Sequence, residues 1–230
     1  GKIFKNGDIH EGDFQRGLLW GKCKITFKNG NIHEGDYQKG EMFGKGKIIF
    51  KNGEIHKGYF KYGLLHGKGK IILKNGNIAE GNFRRGEMSG KGKITFKDGD
   101  ISEGEFKRGS LCGKGKITYK NGNIHEGEFE GGLLWGKGKI TLKNGDINEG
   151  EFQRGLLWGK GKITLKNGDI HEGDFTTTFV NNEGDALDAN GRILNEHLFE
   201  KAVVTSGESK KRKDMSDRTR NVKIKIERIE

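Results

Sequence analysis

Apolar and polar residues alternate along most of this chain in short runs. One run covers residues 25–28 and a second covers residues 33–37, with Asn29 and Gly30 between them. Alternation with a period of two is typical of β-strands that bury one face, and an Asn-Gly dipeptide between two such runs predicts a β-hairpin. Glycine recurs too often for helices, and no apolar stripe with a 3.6-residue period is present. The pattern therefore predicts strands and turns, and almost no helix, over residues 1–175.

The hairpin signal returns at every 23rd residue. Seven of the turns are Asn-Gly, and the other is Asp98-Gly99, to which we assign the same positive-φ geometry. A fixed period of this length is typical of an array in which each unit buries its apolar face against its neighbours. The sequence thus predicts about eight repeated units, whose turns end at Gly7, Gly30, Gly53, Gly76, Gly99, Gly122, Gly145 and Gly168.

Alternation within the strands predicts two chemically different faces. One face carries glycine and aromatic residues, and the other carries charged residues such as Lys45 and Lys47. In most units a carboxylate lies across from lysine, although Lys57 stands where most units have Glu. Such cross-strand pairs contribute roughly 0.2 to 1 kcal/mol each, so we expect most lysines to be neutralised.

A row of residues stays apolar in every unit while its neighbours vary, which predicts a buried core. The core residues expected from this row and from the aromatic face are Leu19, Met42, Leu65, Met88, Leu111, Leu134 and Leu157, together with Phe27, Phe50, Phe96 and Phe106.

The repeated string Glu-Gly-Asp-Phe-x-x-Gly-Leu-Leu-x-Gly-Lys-Gly-Lys-Ile resembles the MORN repeat over residues 1–175. One departure is systematic, since the family's leading Tyr is replaced by His10, His33, His56, Ala79, Ser102, His125, Asn148 and His171. The resemblance implies an all-β fold, an elongated single-layer antiparallel sheet or open solenoid of stacked MORN-type hairpins. It also implies a role as a protein-interaction platform, as a spacer or at membrane surfaces.

Composition favours the same thin architecture. Hydrophobic residues make up only 31% of the 230 residues, Gly numbers 41 and Pro is absent, which argues against a deep globular core. With two strands per unit and about 4.8 Å between strands, eight units would extend over roughly 75 Å.

The 23-residue repeat pattern ends after residue 175. We interpret residues 176–205 as a short divergent cap and residues 206–230 as a basic tail with a terminal strand near Ile224. The cluster from Lys210 to Lys213 is open to two interpretations: a solvated linker, or a nuclear address or contact for nucleic acid or anionic lipid.

The sequence offers no catalytic or cofactor-binding motif. Histidines at equivalent places of neighbouring units would be about 10 Å apart, too far to share one zinc ion. No nucleophile–base set or phosphate-binding glycine loop is present, and 55 residues after Phe175 are too few for a catalytic domain. We therefore expect no enzyme activity, metal, cofactor or small-molecule substrate. Because the lysines alternate with acids, nucleic-acid binding by the array is not favoured.

Two surfaces are candidate partner sites. The first is the loop edge, formed by Leu and Trp residues on either side of the predicted Leu or Met core position: Leu18, Trp20, Leu133, Trp135, Leu156 and Trp158. It is either a lid over the array or an apolar contact edge. The second is an aromatic groove formed by Phe14, Tyr37, Phe60, Phe83, Phe106, Phe129 and Phe152.

These observations predict a non-enzymatic scaffold that binds a protein partner, or itself, through the groove and the loop edge. A peripheral adaptor for anionic membranes, using Trp20, Trp135 and Trp158, is an alternative. A second alternative is an accessory subunit of an enzyme whose catalytic part lies on another chain or upstream of Gly1. Cys23 and Cys112 are 89 residues apart and beyond disulfide reach, so we expect a reducing, intracellular setting.

Overall fold

A computed structural model of the chain describes residues 1–175, 179–180 and 186–187. Within these residues the chain forms only strands and turns, with no helix, as the alternation predicts. The strands are β1 (Lys2–Lys5), β2 (Asp8–Gln15), β3 (Leu18–Thr26), β4 (Ile32–Gln38), β5 (Glu41–Ile49), β6 (Ile55–Lys61), β7 (Leu64–Ile72), β8 (Ile78–Arg84), β9 (Glu87–Thr95), β10 (Ile101–Lys107), β11 (Ser110–Thr118), β12 (Ile124–Glu130), β13 (Leu133–Thr141), β14 (Ile147–Gln153), β15 (Leu156–Thr164), β16 (Ile170–Phe175), β17 (Phe179–Val180) and β18 (Ala186–Leu187).

Strands β1 to β16 follow one another in chain order in one open antiparallel sheet, which confirms the predicted fold class. The chain divides into two compact parts, each made of several repeats. From here on they are called the first unit, Gly1–Ser110, and the second unit, Leu111–Glu230. Strands β17 and β18 pair in a separate two-stranded sheet. The rest of the predicted cap, and the whole predicted tail with Lys210 to Lys213, lie outside the described residues, so these domain boundaries stay predictions.

Two kinds of turn alternate along the sheet. In the two-residue turn between β4 and β5, Lys39 and Gly40 have φ values of 53° and 83°, the type I′ geometry whose twist suits a hairpin. The Asn-Gly turns also close hairpins, but in most of them only the glycine has positive φ, as in Gly30 at 90°. There the N–H of Gly30 donates to the carbonyl of Phe27 at 2.9 Å, and the Phe27 N–H donates to Asn31. The positive φ expected for these turns is therefore found at the glycine, because this longer turn needs only one left-handed residue.

Several repeats are hydrogen-bonded to the next through a side chain that follows the turn glycine. Asn31 Oδ1 accepts the backbone N–H of Lys51 at 3.0 Å, and Asn123 Oδ1 accepts that of Lys143 at 2.8 Å. The acceptor thus satisfies a backbone donor 20 residues further along the chain.

The core lies on one face of the sheet, here called the core face. All seven Leu and Met residues predicted for it are buried, with exposures between 1% and 4%. Six of them lie opposite an aromatic residue of the preceding strand, as Met42 lies opposite Tyr37 and Leu65 opposite Phe60. Phe106 is also buried, as predicted.

Phe27, Phe50 and Phe96 are half-buried, so their assignment to the buried core is wrong. They lie just beyond the strand ends, where the turn leaves one side of the ring open to solvent. The ring of Phe27 instead makes an edge contact with His33, with 4.6 Å between centroids.

Candidate functional site

The loop edge begins directly after each two-residue turn, where the chain enters an odd-numbered strand. In the first unit, Leu18 is 48% exposed and Trp20 38% exposed, while Leu19 between them is buried. A Cβ on Gly40, in the next turn, would lie 3.5 Å from Leu18 Cδ2, so the leucine lies beside its neighbouring repeat. The middle residue therefore acts as the lid, and the outer residues remain accessible.

The second unit repeats this arrangement in successive hairpins. Leu133, Trp135 and Trp158 are exposed, and Leu156 is half-buried. Strands β13 and β15 are two strand spacings apart, about 10 Å, so the two Leu-x-Trp segments lie near each other. Whether either segment binds a partner stays a prediction.

The predicted aromatic groove is not an accessible surface. Six of its seven rings are buried against the Leu and Met row, and only Phe14 is half-buried; the buried rings are Tyr37, Phe60, Phe83, Phe106, Phe129 and Phe152. Alternation places them on the correct face, but the side chain opposite each ring covers it. Little ring surface is therefore exposed, and partner binding by the groove stays a prediction.

The histidine row is partly buried. His125 and His171 are buried, and His33 and His56 are half-buried. Burial lowers the pKa of His125 to about 4, and it lowers the pKa of His33 in the same direction. Among the described residues, no group of three or more His, Cys, Asp or Glu side chains could hold a metal ion.

Burial of His125 should make stability depend on pH. Its pKa in the folded chain lies below its ordinary value of about 6.5, so the folded state resists protonation, and the stability present above pH 6.5 is lost as pH falls toward 4. At about 1.4 kcal/mol per pH unit, we expect a loss of about 2 kcal/mol between pH 6.5 and pH 5. Denaturant unfolding at several pH values measures this loss.

His125→Asn is a matched variant, because Asn148 occupies the equivalent position of the next repeat and is itself buried. The variant should fold and should show a smaller decrease in unfolding free energy between pH 6.5 and 5. An equal decrease in parent and variant would assign the pH dependence to other groups.

The opposite face of the sheet, here called the charged face, is neutralised only in part, less than expected. In seven of the eight hairpins closed by Asn-Gly or Asp-Gly turns, one lysine forms an ion pair with a carboxylate of the next strand, and the β5–β6 hairpin has no such pair. Lys70 Nζ lies 3.0 Å from Glu80 Oε1, and the equivalent pairs Lys93–Glu103 and Lys116–Glu126 have the same distance. These side chains are 40–48% exposed, so each pair adds little stability. Lys57 is an exception to the usual Glu at its position, as the sequence already shows. A second exception on the same strand, Tyr59, was missed. Comparing each charged-face position with the residues 23 positions away would have found it.

No helix in the described part of the chain has the length and apolar character needed to cross a membrane. The fold and its repeated edge define a class of protein: a β-hairpin repeat protein whose surfaces recur with each unit. More specifically, the chain belongs to the MORN repeat family, whose model matches residues 10–32, 33–55, 56–78, 80–101, 103–124, 125–147 and 149–170. These are seven repeats, and the hairpin at Asn6-Gly7 precedes the first of them.

The chain is also distantly similar to solved structures of TCP domains. The SAS-4 (dCPAP) TCP domain of Drosophila melanogaster, in complex with a proline-rich motif of Ana2 (dSTIL), shares 16% identity over 66% of this chain and 83% of that chain, with a TM-score of 0.42. The TCP10 domain of Danio rerio CPAP, in complex with a STIL peptide, shares 14% identity over 84% and 90%, with a TM-score of 0.46. These similarities are too distant to carry an argument. No curated protein matches the chain.

Proposed function

We propose that the chain is a non-enzymatic scaffold that binds a protein partner through the loop edge. The observation that carries the proposal is the exposure of large apolar side chains at positions that the fold does not require to be apolar. Leu18 and Leu133 are exposed, and the equivalent position in three other repeats is Glu41, Glu87 or Ser110. Exposed Trp and Leu residues of this kind are common anchors of protein interfaces.

The edge is best developed in the second unit. There Leu133, Trp135 and Trp158 offer three exposed apolar side chains in two successive hairpins. Because the buried Leu134 and Leu157 anchor the same strand segments, the exposed residues are held on a rigid sheet. A partner would therefore meet a preformed strip, which reduces the entropy lost on binding.

Two other uses of this edge remain as competing proposals. Tryptophan beside lysine also suits the surface of an anionic membrane, and Lys22 and Lys160 lie two residues after Trp20 and Trp158. The same edge could place the chain as an accessory subunit beside an enzyme. In each case we propose a reducing, intracellular setting, which the free thiols of Cys23 and Cys112 support.

Changing Leu133, Trp135 and Trp158 to Ser in the full chain should weaken partner binding by about tenfold or more, because large aromatic anchors dominate interface energies. The melting temperature should change little, since these side chains are exposed. Affinity capture with quantitative mass spectrometry identifies a partner, and titration with the purified partner measures its Kd. Phe4→Ser is the control, since Phe4 is 71% exposed and belongs to β1, outside the loop edge.

Three further outcomes distinguish the competing proposals. Sedimentation with phosphatidylserine vesicles that is lost in the triple variant would assign the edge to a membrane. Analytical ultracentrifugation that shows a dimer only in the parent would identify a second copy as the partner. Unchanged binding to the purified partner, with an unchanged melting curve, would refute the edge as the interface.

A further inference from the structure

The charged face changes character at strand β6. On every other even-numbered strand from β2 to β16, the first inner position of this face is Glu, as in Glu34 and Glu80, but β6 has Lys57. The second inner position is Asp, Glu or Asn on those strands, but β6 has Tyr59. Both departures from the repeat fall on one strand and on the same face.

The strand register places these two residues beside other lysines, which forms a cluster of cations. Lys57 lies opposite Lys47 on one side and opposite Lys70 on the other. Tyr59 lies opposite Lys45, whose Nζ is 5.8 Å from the centre of its ring. Like charges directly opposite each other destabilise a sheet, so β6 keeps a residue that its own fold disfavours.

Most lysines of this cluster have no carboxylate partner. Lys70 pairs with Glu80, and Asp36, whose carboxyl pKa is lowered chiefly by a hydrogen bond from Lys22, also accepts the backbone N–H of Lys45. Over residues 1–175, no carboxylate lies within ion-pair distance of Lys47, Lys57 or Lys68. Three cations are therefore available to an external anion.

These side chains surround a shallow cavity of about 880 Å³ in the first unit. Lys47, Lys57 and Lys68 line one end of it together with Tyr59, whereas the carboxylates Glu11 and Glu34 line the end toward β2 and β4. Tyr59 is 47% exposed, so its ring offers an apolar surface beside the cations. The cavity thus combines unpaired positive charge, an aromatic wall and room for an extended chain.

We propose that this cavity binds an acidic peptide segment of a partner protein. Carboxylates of the peptide pair with Lys47, Lys57 and Lys68, and an apolar side chain of the peptide packs against Tyr59. The inference rests on the proposed function in one respect, since both require the array to bind proteins. It concerns a different surface from the loop edge and a partner of defined chemistry.

The dimensions of the cluster favour a peptide over a nucleic acid or a membrane. Strands β5 and β7 are about 10 Å apart, a distance that roughly three residues of an extended peptide cover. Glu11 and Glu34 line the other end of the cavity, so only a ligand short enough to stay over the three lysines avoids these carboxylates, whereas the phosphate backbone of a nucleic acid that continued across the sheet would meet them. A concave site is also poorly shaped for contact with a flat bilayer surface.

The test measures binding of a fluorescein-labelled Glu-rich peptide that contains one Leu, by fluorescence anisotropy with the full chain. The variant Lys57→Glu/Tyr59→Glu gives β6 the two residues that β12 has at Glu126 and Glu128, so it should melt no lower than the parent. We expect it to bind the peptide at least about tenfold more weakly. A matched peptide with Gln in place of Glu should not bind the parent.

The control variant Gln153→Glu/Arg154→Glu makes the same change in net charge at exposed positions of the second unit. It should retain peptide binding, and so should the Leu133, Trp135 and Trp158 triple variant, even if the loop edge proves to be the wrong interface. If the two charge variants lost peptide affinity equally, the proposed site would be overturned. The same would follow if the parent bound the Gln peptide as tightly as the Glu peptide. Tighter binding of oligothymidine or phosphatidylserine vesicles, lost in the β6 variant, would overturn the peptide assignment.

Discussion

Replacing Gly58 with alanine is expected to destabilise the array by about 4 kcal/mol. Gly58 has φ of 150°, and a Cβ built on it would lie 2.5 Å from both Gly69 Cα and Lys68 O. These atoms belong to the backbone of the paired strand, so they cannot move aside as a flexible side chain could. The substitution must therefore separate β6 from β7.

Gly53→Ala is the control for this prediction. Gly53 also has positive φ, at 90°, but a Cβ there would meet nothing within 4 Å. Its cost should be limited to backbone strain, roughly 1 to 2 kcal/mol. Because repeat arrays need not unfold in one step, hydrogen exchange of the β6 and β7 amides is the suitable measurement. Similar protection in the two variants would show that close approach of the backbones is not what requires glycine at position 58.

Leu65→Ala should cost roughly 2 to 5 kcal/mol, because it removes a fully buried side chain and leaves a cavity. Leu65 is 1% exposed, and its Cδ2 lies 3.0 Å from the place of a Cβ on Gly69, so it fills the space that the glycines leave. Its neighbour Leu64 is 50% exposed, and Leu64→Ala should cost less than about 0.5 kcal/mol. Denaturant unfolding of both variants measures the contrast, which would be absent if residue 65 were not part of the core.

The sequence predicts most of this fold because its local signals agree with one another. Alternation, turn glycines and a fixed period all indicate antiparallel hairpins. The apolar row around Leu65 can then be buried only on one face of the sheet. The repeats add information that a single segment lacks. A position that is Leu or Met in all seven repeats is identified as a core position because it does not vary. The buried row is confirmed for this reason.

Other features depend on the contacts between strands, which alternation does not describe. Register shifts between Gly58 and Phe60 place Phe60 opposite Leu65, and this pairing buries rings that the sequence suggested would line a groove. The half-buried state of Phe27 likewise follows from its position beyond the end of β3, and strand ends are poorly defined by sequence pattern. The cluster around Lys57 required the register as well, because only the register shows that Lys47 and Lys70 lie opposite it.

The pairing of each strand with its immediate successor also bears on how the protein forms. All-β proteins usually fold slowly, because their strands must find partners that are distant in sequence. Here even the hydrogen bond that joins Asn31 to Lys51 spans only 20 positions. Contact order is therefore low for a protein made of strands, and each hairpin can assemble on the ribosome soon after its residues emerge, without waiting for the C-terminal end of the chain.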